Sequence, residues 1–167
     1  PKYTFGFNFS LAWKGFDLSA NFTGAAGFQI AQSYRDPSSS QANYSRRILK
    51  RWTGEGTSNE IPRVTYGDVG NWLFSDLYLQ DGDYIRLQNL TLGYDFKKLI
   101  SWKGLSKLRL YFQVQNLFTL TKYDGMDPEI GSFNGTDGNS SDSWVSGVDM
   151  GYYPHPRTFI VGLNLAF

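Results

Sequence analysis

Few side chains in this sequence are suited to catalysis. The 167-residue chain has no cysteine and one histidine, His155, which lies between Pro154 and Pro156. A hydrolytic Ser-His-Asp arrangement would have to use this single imidazole, and a histidine-based metal site needs more than one. The alternative is a packed or solvent-facing loop histidine. We therefore expect a protein that is not an enzyme and has no disulfide framework.

Oxygen ligands for a metal are concentrated in one segment. Six carboxylates lie between Tyr123 and Pro154, where Lys and Arg are absent. Ca²⁺ prefers oxygen ligands, but the spacing does not fit an EF-hand. We expect no cofactor and no metal; the weak candidates for a Ca²⁺ site are Asp137, Asn139 and Asp142. A solvated loop or a contact with a basic partner is the alternative reading of this segment.

Aromatic side chains could bind a ligand, because their rings stack on the apolar C–H faces of sugars. Candidates for substrate contact lie outside the strand-like segments: Trp52, Trp72, Tyr123, Trp144 and Tyr152. The same rings could instead anchor loops to one another. A short helix is predicted over Gln41–Trp52, with basic residues on its outer face that are either solvated or in contact with anionic lipid or an acidic partner.

The elements around these candidates are predicted to be long amphipathic strands. From Lys2 to Trp13 apolar residues occupy every odd position, and the alternation resumes at Phe16 after Lys14-Gly15, a two-residue turn signal. A change of parity near Gln88-Asn89 predicts a β-bulge. The sequence gives five strands, at about 2–13, 16–27, 83–96, 107–118 and 157–167.

Composition excludes several classes of protein. Sixteen Lys and Arg against fifteen Asp and Glu give a net charge of +1, too small for an electrostatic nucleic-acid binder. The mean hydropathy is −0.38, and no run of apolar residues is long enough for a transmembrane helix. Membrane-spanning strands stay possible, because alternation hides them from hydropathy averages.

The connections alternate between short and long, which is typical of an outer-membrane β-barrel. Placing the long ones outside predicts extracellular loops at about 28–82 and 119–156. Five strands cannot close a barrel, and an open edge in lipid leaves backbone groups unpaired, so we expect more strands from elsewhere. The chain begins at Pro1 inside a strand pattern, as a piece of a longer protein would. The alternatives are a soluble β-sandwich carbohydrate-binding module and a small self-assembling barrel.

Five motifs in order resemble the C-terminal end of SusC/RagA-type TonB-dependent outer-membrane transporters. They are Pro1–Gly6 with Lys14–Leu18, Arg51–Glu55 with Ile61–Arg63, Ser75-Asp76 with Asp81–Tyr94, Gln115–Thr119 with Lys122-Tyr123 and Asp127–Glu129, and Tyr153-Pro154 with Pro156–Phe159. The glycine-rich segment 131–147 has no counterpart that we can place.

The resemblance implies a plugged barrel of about 22 strands in the outer membrane, of which residues 1–167 supply the C-terminal part. It implies TonB-dependent import of glycans or peptides, with TonB acting through a plug region outside this sequence. It also implies a SusD-like surface lipoprotein as partner, and contact with outer-membrane lipid. Nucleic acid is not expected as a partner.

Two further sets of residues follow from the barrel prediction. The last strand ends in an aromatic residue, as the assembly signal of outer-membrane proteins does; the residues of this signal are Phe159, Val161, Leu163, Leu165 and Phe167. The polar faces of the strands are predicted to line the lumen, with candidates Asn21, Arg109, Gln113, Gln115 and Asn164.

Overall fold

The computed structural model describes residues 1–33, 46–64, 73–100, 102–130 and 147–167. The chain forms two units. The first comprises Pro1–Phe28, Gly82–Tyr123 and Tyr153–Phe167, and the second comprises Gln29–Asp81 and Asp124–Tyr152. Each unit contains one sheet, and each is described separately.

A five-stranded antiparallel sheet forms the first unit. Its strands, in spatial order, are β1 (Tyr3–Trp13), β2 (Phe16–Ala26), β5 (Tyr84–Asp95), β6 (Lys107–Thr121) and β8 (Thr158–Ala166). The predicted fold class, a five-stranded antiparallel segment of a barrel wall, is therefore confirmed. The two edges of the sheet are β1 and β8.

The β1–β2 hairpin shows how the sequence sets the register. Lys14 and Gly15 have φ of 47° and 99°, so the two-residue loop has the left-handed backbone that matches strand twist. Trp13 then pairs with Phe16, the first of eleven residue pairs that end at Tyr3 and Ala26. We call this end of the sheet the turn end and the opposite end the loop end.

The predicted bulge is present where the apolar residues change parity. In β5, Leu87 pairs with Phe22 and Asn89 with Asn21, so Gln88 is the additional residue. In the neighbouring strand β6, Asn116 adopts a φ of 52° at the same height. The bulge keeps the apolar residues of β5 on one face of the sheet although their sequence positions shift by one.

Strand β6 runs to Thr121, three residues beyond the predicted end at 118. Phe118, Thr119, Leu120 and Thr121 continue the ladder with β5, where Thr119 pairs with Arg86. The strand extends because its partner β5 begins at Tyr84 and offers free backbone groups up to that residue.

The helix predicted over Gln41–Trp52 is present in its described part only as a short 3₁₀-helix. Arg46–Lys50 forms a 3₁₀-helix, and residues 41–45 lie outside the described residues. The backbone N–H of Arg51 donates to the Ile48 carbonyl, three residues back, and that of Trp52 donates to the Ile61 carbonyl at 2.8 Å. The chain therefore leaves the helix before an α-helical turn can form.

The second unit contains a three-stranded sheet that the sequence did not predict. Its spatial order is β4 (Leu79–Asp81), β3 (Gln29–Gln32) and β7 (Val148–Asp149), with β3 and β7 parallel. These strands are four residues or shorter, too short for a period of two to be recognised. Among the described residues, no helix has the length and apolar character needed to cross a membrane.

Candidate functional site: the two faces of the five-stranded sheet

One face of the sheet is apolar over all five strands. The odd residues of β1 pair with the even residues of β2, and the register continues this face through Leu92, Phe112 and Val161. Many of the large side chains on this face are 40–72% exposed: Tyr3, Phe5, Phe7, Phe9, Leu11, Trp13, Phe16, Leu92, Leu110, Phe112, Phe118, Leu120, Phe159, Val161, Leu163 and Leu165. An exposed apolar surface of this extent needs a non-aqueous environment.

The height of this face suits a bilayer. An 11-residue strand such as β1 is about 34 Å long, and with the tilt usual in barrels it covers an apolar band about 25 Å tall. Aromatic rings lie at the turn end, where Phe16 and Tyr94 have ring centroids 4.4 Å apart. Lys14 Nζ lies 4.9 Å from the ring of Trp13. Rings with a nearby lysine are typical of the membrane–water interface.

The opposite face is polar, and its central part is uncharged. Cross-strand pairing forms a row of four carboxamides and a hydroxyl: Asn8, Asn21, Asn89, Gln115 and Thr158. The adjacent row toward the turn end is Ser10, Ser19, Thr91, Gln113 and Ile160. Gln113 Nε2 donates to Asn89 Oδ1 at 3.3 Å and links the two rows.

A charge pair lies on the polar face at the turn end. Arg109 donates from Nε to Asp17 Oδ1 at 2.7 Å and from Nη2 to Asp17 Oδ2 at 2.5 Å. The pair passes over Gly93, where an added Cβ would lie 2.6 Å from Arg109 Nε and from Asp17 Oδ1. Gly93 therefore leaves the space that this bidentate contact needs.

The ring of Tyr111 lies beside the Asp17–Arg109 pair on the polar face. We call these three side chains, with Gly93 and Gly162 beneath them, the turn-end layer. The guanidinium of Arg109 lies 4.9 Å from the centroid of the Tyr111 ring. That ring in turn covers Gly162, its partner on β8, so closely that an added Cβ would overlap it. The turn-end layer connects β2, β5, β6 and β8 across the polar face, so it can oppose sliding of these strands past one another.

A second cation lies on the polar face at the loop end. Arg86 is 3% exposed, and its Nε donates to Thr119 Oγ1 at 2.9 Å. Arg86 Nη1 lies 3.1 Å from His155 Nδ1, so in this contact the imidazole nitrogen is the acceptor. His155 thus has a structural partner in Arg86. Sequence reasoning missed Arg86, because its partners are 33 and 69 residues away.

The loop end is further tied by Asp83. Its carboxylate accepts the backbone N–H of Gly27 at 2.6 Å, and its carbonyl accepts the Thr121 hydroxyl at 2.8 Å. Gly27 has a φ of 76°, which few other residues adopt. These contacts hold the ends of β2, β5 and β6 together where the long connections begin.

The predicted lumen residues share one face. The register places Asn21, Arg109, Gln113, Gln115 and Asn164 on the polar side, opposite the exposed apolar face. Four residues of the predicted assembly signal, Phe159, Val161, Leu163 and Leu165, lie on apolar-face positions of β8, and Phe167 follows the end of that strand. The role of that signal in assembly stays a prediction.

Three of the predicted ligand-binding aromatics are described, and they are divided between the two units. Trp52 is 39% exposed and lies in the second unit; Tyr123 is 6% exposed and lies in the first, so its ring is buried in the protein. Tyr152 is half-buried, and its backbone N–H lies 3.3 Å from Asp149 Oδ1. Further predicted site residues lie outside the described residues: Trp72, Trp144, Asp137, Asn139 and Asp142.

Trp52 belongs to a closed loop with its own hydrogen bonds. Thr57 Oγ1 donates to the Gly54 carbonyl at 2.7 Å and accepts the N–H of Thr53 at 2.9 Å. The Trp52–Ile61 backbone contact closes the loop. A shallow depression of about 430 Å³ is lined by Trp52, Ser58, Asn59, Glu60, Ile61, Pro62 and Arg63. Within the described ranges, no group of three or more metal-ligating side chains is present.

Comparison with known proteins agrees with this geometry. No family model matches the chain. TonB-dependent receptor P3 of Formosa agariphila is 36% identical over all of this chain, and TonB-dependent receptor SusC of Bacteroides thetaiotaomicron is 30% identical over 97% of it. The chain spans only 16% and 15% of the lengths of these two relatives.

Solved structures of the same kind of protein are similar to this chain. The RagAB peptide importer in its open-open state matches 98% of this chain with a TM-score of 0.71 and 25% identity, and the match covers 17% of that structure's chain. The closed-closed state matches with a TM-score of 0.72 and 26% identity. These relatives are receptors and an importer rather than enzymes. The resemblance to TonB-dependent transporters of the SusC and RagA type is therefore confirmed: the chain is similar, over nearly all of its length, to one segment of these proteins.

Proposed function

We propose that this chain is part of the barrel wall of an outer-membrane importer that takes up glycans or peptides with energy supplied through TonB. One observation carries the proposal: a five-stranded sheet has an exposed, wholly apolar face on one side and a polar face on the other. Lipid on the first side and a hydrated lumen on the second would satisfy both faces.

The rest of the barrel is the first partner. Strands β1 and β8 are edges, and their outer backbone groups have no partner strand in this sheet. In lipid each unpaired group costs several kcal/mol. We infer that other strands of the same transporter pair with β1 and β8, and that a plug within the same protein occupies the lumen and contacts TonB.

The central polar rows support passage of uncharged, hydrogen-bonding solutes. The charged residues on either side of these rows are engaged with neighbours, as Asp17 is with Arg109 and Arg86 with Thr119. The carboxamides of Asn8 and Asn21 make no side-chain hydrogen bond within the described part of the chain. Carboxamides donate and accept, so they match sugar hydroxyls and peptide backbones equally.

At the loop end, we propose extracellular loops that meet a SusD-like lipoprotein and the incoming substrate. The depression beside Trp52 combines the partly exposed indole of this residue with the polar side chains of Asn59, Glu60 and Arg63. This set suits a sugar ring or a peptide, since the indole supplies an apolar platform and its neighbours supply hydrogen bonds.

The test begins with material purified natively in detergent. The mass measured before and after denaturation should show the segment within a much larger transporter, accompanied by a lipoprotein. Cells that carry the full-length transporter are then grown on neutral oligosaccharides or on peptides, beside cells with a Trp52→Ala variant. Growth that requires the transporter identifies the substrate class.

Two results would reject the proposal. One is a soluble, monodisperse protein without detergent, which would favour a sugar-binding β domain. The other is transporter-independent growth on every glycan and peptide tested. Unchanged uptake by the Trp52→Ala variant would reject only the role given to the depression.

A further inference from the structure

The connection between β5 and β6 exposes apolar side chains at the turn end. Leu99 is 68%, Ile100 is 41% and Trp102 is 62% exposed. The β1–β2 connection at the same end needs only Lys14 and Gly15. The longer connection is therefore not required to join two neighbouring antiparallel strands, and its exposed side chains call for an explanation. We call Leu99, Ile100 and Trp102 the apolar turn.

The backbone around the apolar turn is ordered by hydrogen bonds. Phe96–Lys98 forms a 3₁₀-helix, and the Asp95 carboxylate accepts the N–H of Lys97 at 3.0 Å. The Phe96 carbonyl accepts the N–H groups of Leu99 at 2.9 Å and Ile100 at 3.1 Å. Leu105, in the same connection, is by contrast 4% exposed. The apolar side chains are thus exposed on a backbone that is held by hydrogen bonds.

Strands missing from the sheet do not explain this exposure. The spatial order β1-β2-β5-β6-β8 puts the connection between two interior strands. Additional barrel strands would pair with β1 and β8, which are the edges. The connection instead continues the apolar face, because the ring of Phe96 lies edge-on to that of Tyr94 at 4.9 Å, and Tyr94 lies 4.4 Å from Phe16.

Lysines flank the apolar turn in the sequence, together with Asp95, whose carboxylate accepts the Lys97 N–H. Lys97 and Lys103 belong to the connection, and Lys14 lies in the neighbouring turn. Lys97 Nζ donates to the Trp102 carbonyl at 2.8 Å. Within the residues that the structure describes, none of these three lysines forms a salt bridge. Exposed apolar side chains, a tryptophan and ammonium groups that form no salt bridge within the described residues are together complementary to an anionic lipid surface.

We propose that this connection is an interfacial anchor for anionic phospholipid. The apolar turn inserts at the boundary between headgroups and acyl chains of the leaflet at the turn end, and Lys97 and Lys103 contact lipid phosphates. The anchor rests on the proposed function for its position in a membrane. It would fix the height of the barrel wall by binding lipid at one end, in addition to the general apolar match of the strands.

The depth of the turn can be measured with a fluorescent label. The full-length transporter, in a cysteine-free background, carries Leu99→Cys labelled with an environment-sensitive dye and is reconstituted into phosphatidylcholine–phosphatidylglycerol vesicles. Lipids with a nitroxide near the headgroup should quench this label more than lipids with a nitroxide at the acyl end, and its emission should shift to shorter wavelength. Phe112→Cys and Gln113→Cys serve as references on the apolar and polar faces.

The two reference labels distinguish a failure of the anchor from a failure of the membrane placement. The Phe112→Cys label should be quenched most by the deep nitroxide, and the Gln113→Cys label by neither. If Leu99→Cys behaves like Gln113→Cys while Phe112→Cys is still quenched, the anchor is wrong and the membrane placement stands. If Phe112→Cys is not quenched either, the proposed function fails and the anchor fails with it.

The role of Lys97 and Lys103 is tested by measuring which spin-labelled lipid quenches the Leu99→Cys label more. In the Lys97→Gln/Lys103→Gln variant, quenching by spin-labelled phosphatidylglycerol relative to phosphatidylcholine should fall about fivefold for each lysine removed. Lys107→Gln is the matched control, because Lys107 lies on the polar-face positions of β6. An equal loss in the control, or no loss in the double variant, would overturn the role of the two lysines.

Discussion

Placing an arginine on either face of β6 should have very different consequences. Phe112 is 44% exposed on the apolar face near the middle of the sheet, and Gln113 is its neighbour on the polar face. An arginine facing lipid near the bilayer midplane costs about 2–4 kcal/mol. That cost lowers the folded-to-unfolded ratio of Phe112→Arg roughly 30- to 700-fold.

The matched variant Gln113→Arg should lose only the hydrogen bond to Asn89 at 3.3 Å, about 0.5–1.5 kcal/mol. Unfolding of the full-length transporter in lipid vesicles, followed by gel mobility without boiling, gives both free energies. Phe112→Ala corrects for the lost contact with the Phe159 ring, whose centroid is 6.2 Å away. The reasoning is refuted if Gln113→Arg is as destabilising as Phe112→Arg.

Three further changes test the geometry of single contacts. Gly24→Ala puts a Cβ 2.6 Å from a carbonyl oxygen of β5 and should cost about 1–3 kcal/mol of unfolding free energy, whereas Gly6→Ala, with 3.7 Å of room, should change it by less than about 0.5. A double-mutant cycle with Asp17→Asn and Arg109→Gln should give a coupling of about 1–2 kcal/mol in chemical unfolding; simple additivity would contradict the bidentate pair. Thr57→Val should speed limited proteolysis of its loop without changing barrel unfolding, and unchanged cleavage would show that its two hydrogen bonds do not hold the loop.

The strands could be predicted because lipid and lumen impose opposite demands on alternate residues. Tyr3 to Trp13 satisfy that alternation without interruption, and the parity change at Gln88 predicted the bulge in β5. The strands of the second unit carry no such signal. Val148–Asp149 is two residues long, and its pairing with β3 depends on a chain that returns after more than a hundred residues.

The contacts of the polar face could be predicted only in part. The odd or even position of each residue predicted the face on which its side chain lies. Its hydrogen-bond partners depend on the register between several strands. Asp17 and Arg109 are 92 residues apart, and Arg86 and His155 are 69 apart. A single sequence fixes the register of β1 and β2 through the Lys14-Gly15 turn, but it provides no comparable constraint between β2 and β5.

The most direct test of the central claim is an accessibility scan along β6. Spin labels at successive positions from Leu108 to Phe118 of the full-length transporter in vesicles are exposed to oxygen, which concentrates in lipid, and to a water-soluble nickel chelate. Both accessibilities should alternate with a period of two and in opposite phase, with the oxygen accessibility highest at even positions such as Phe112. Two accessibilities that rise and fall together, or show no alternation, would contradict a wall with lipid on one face and water on the other.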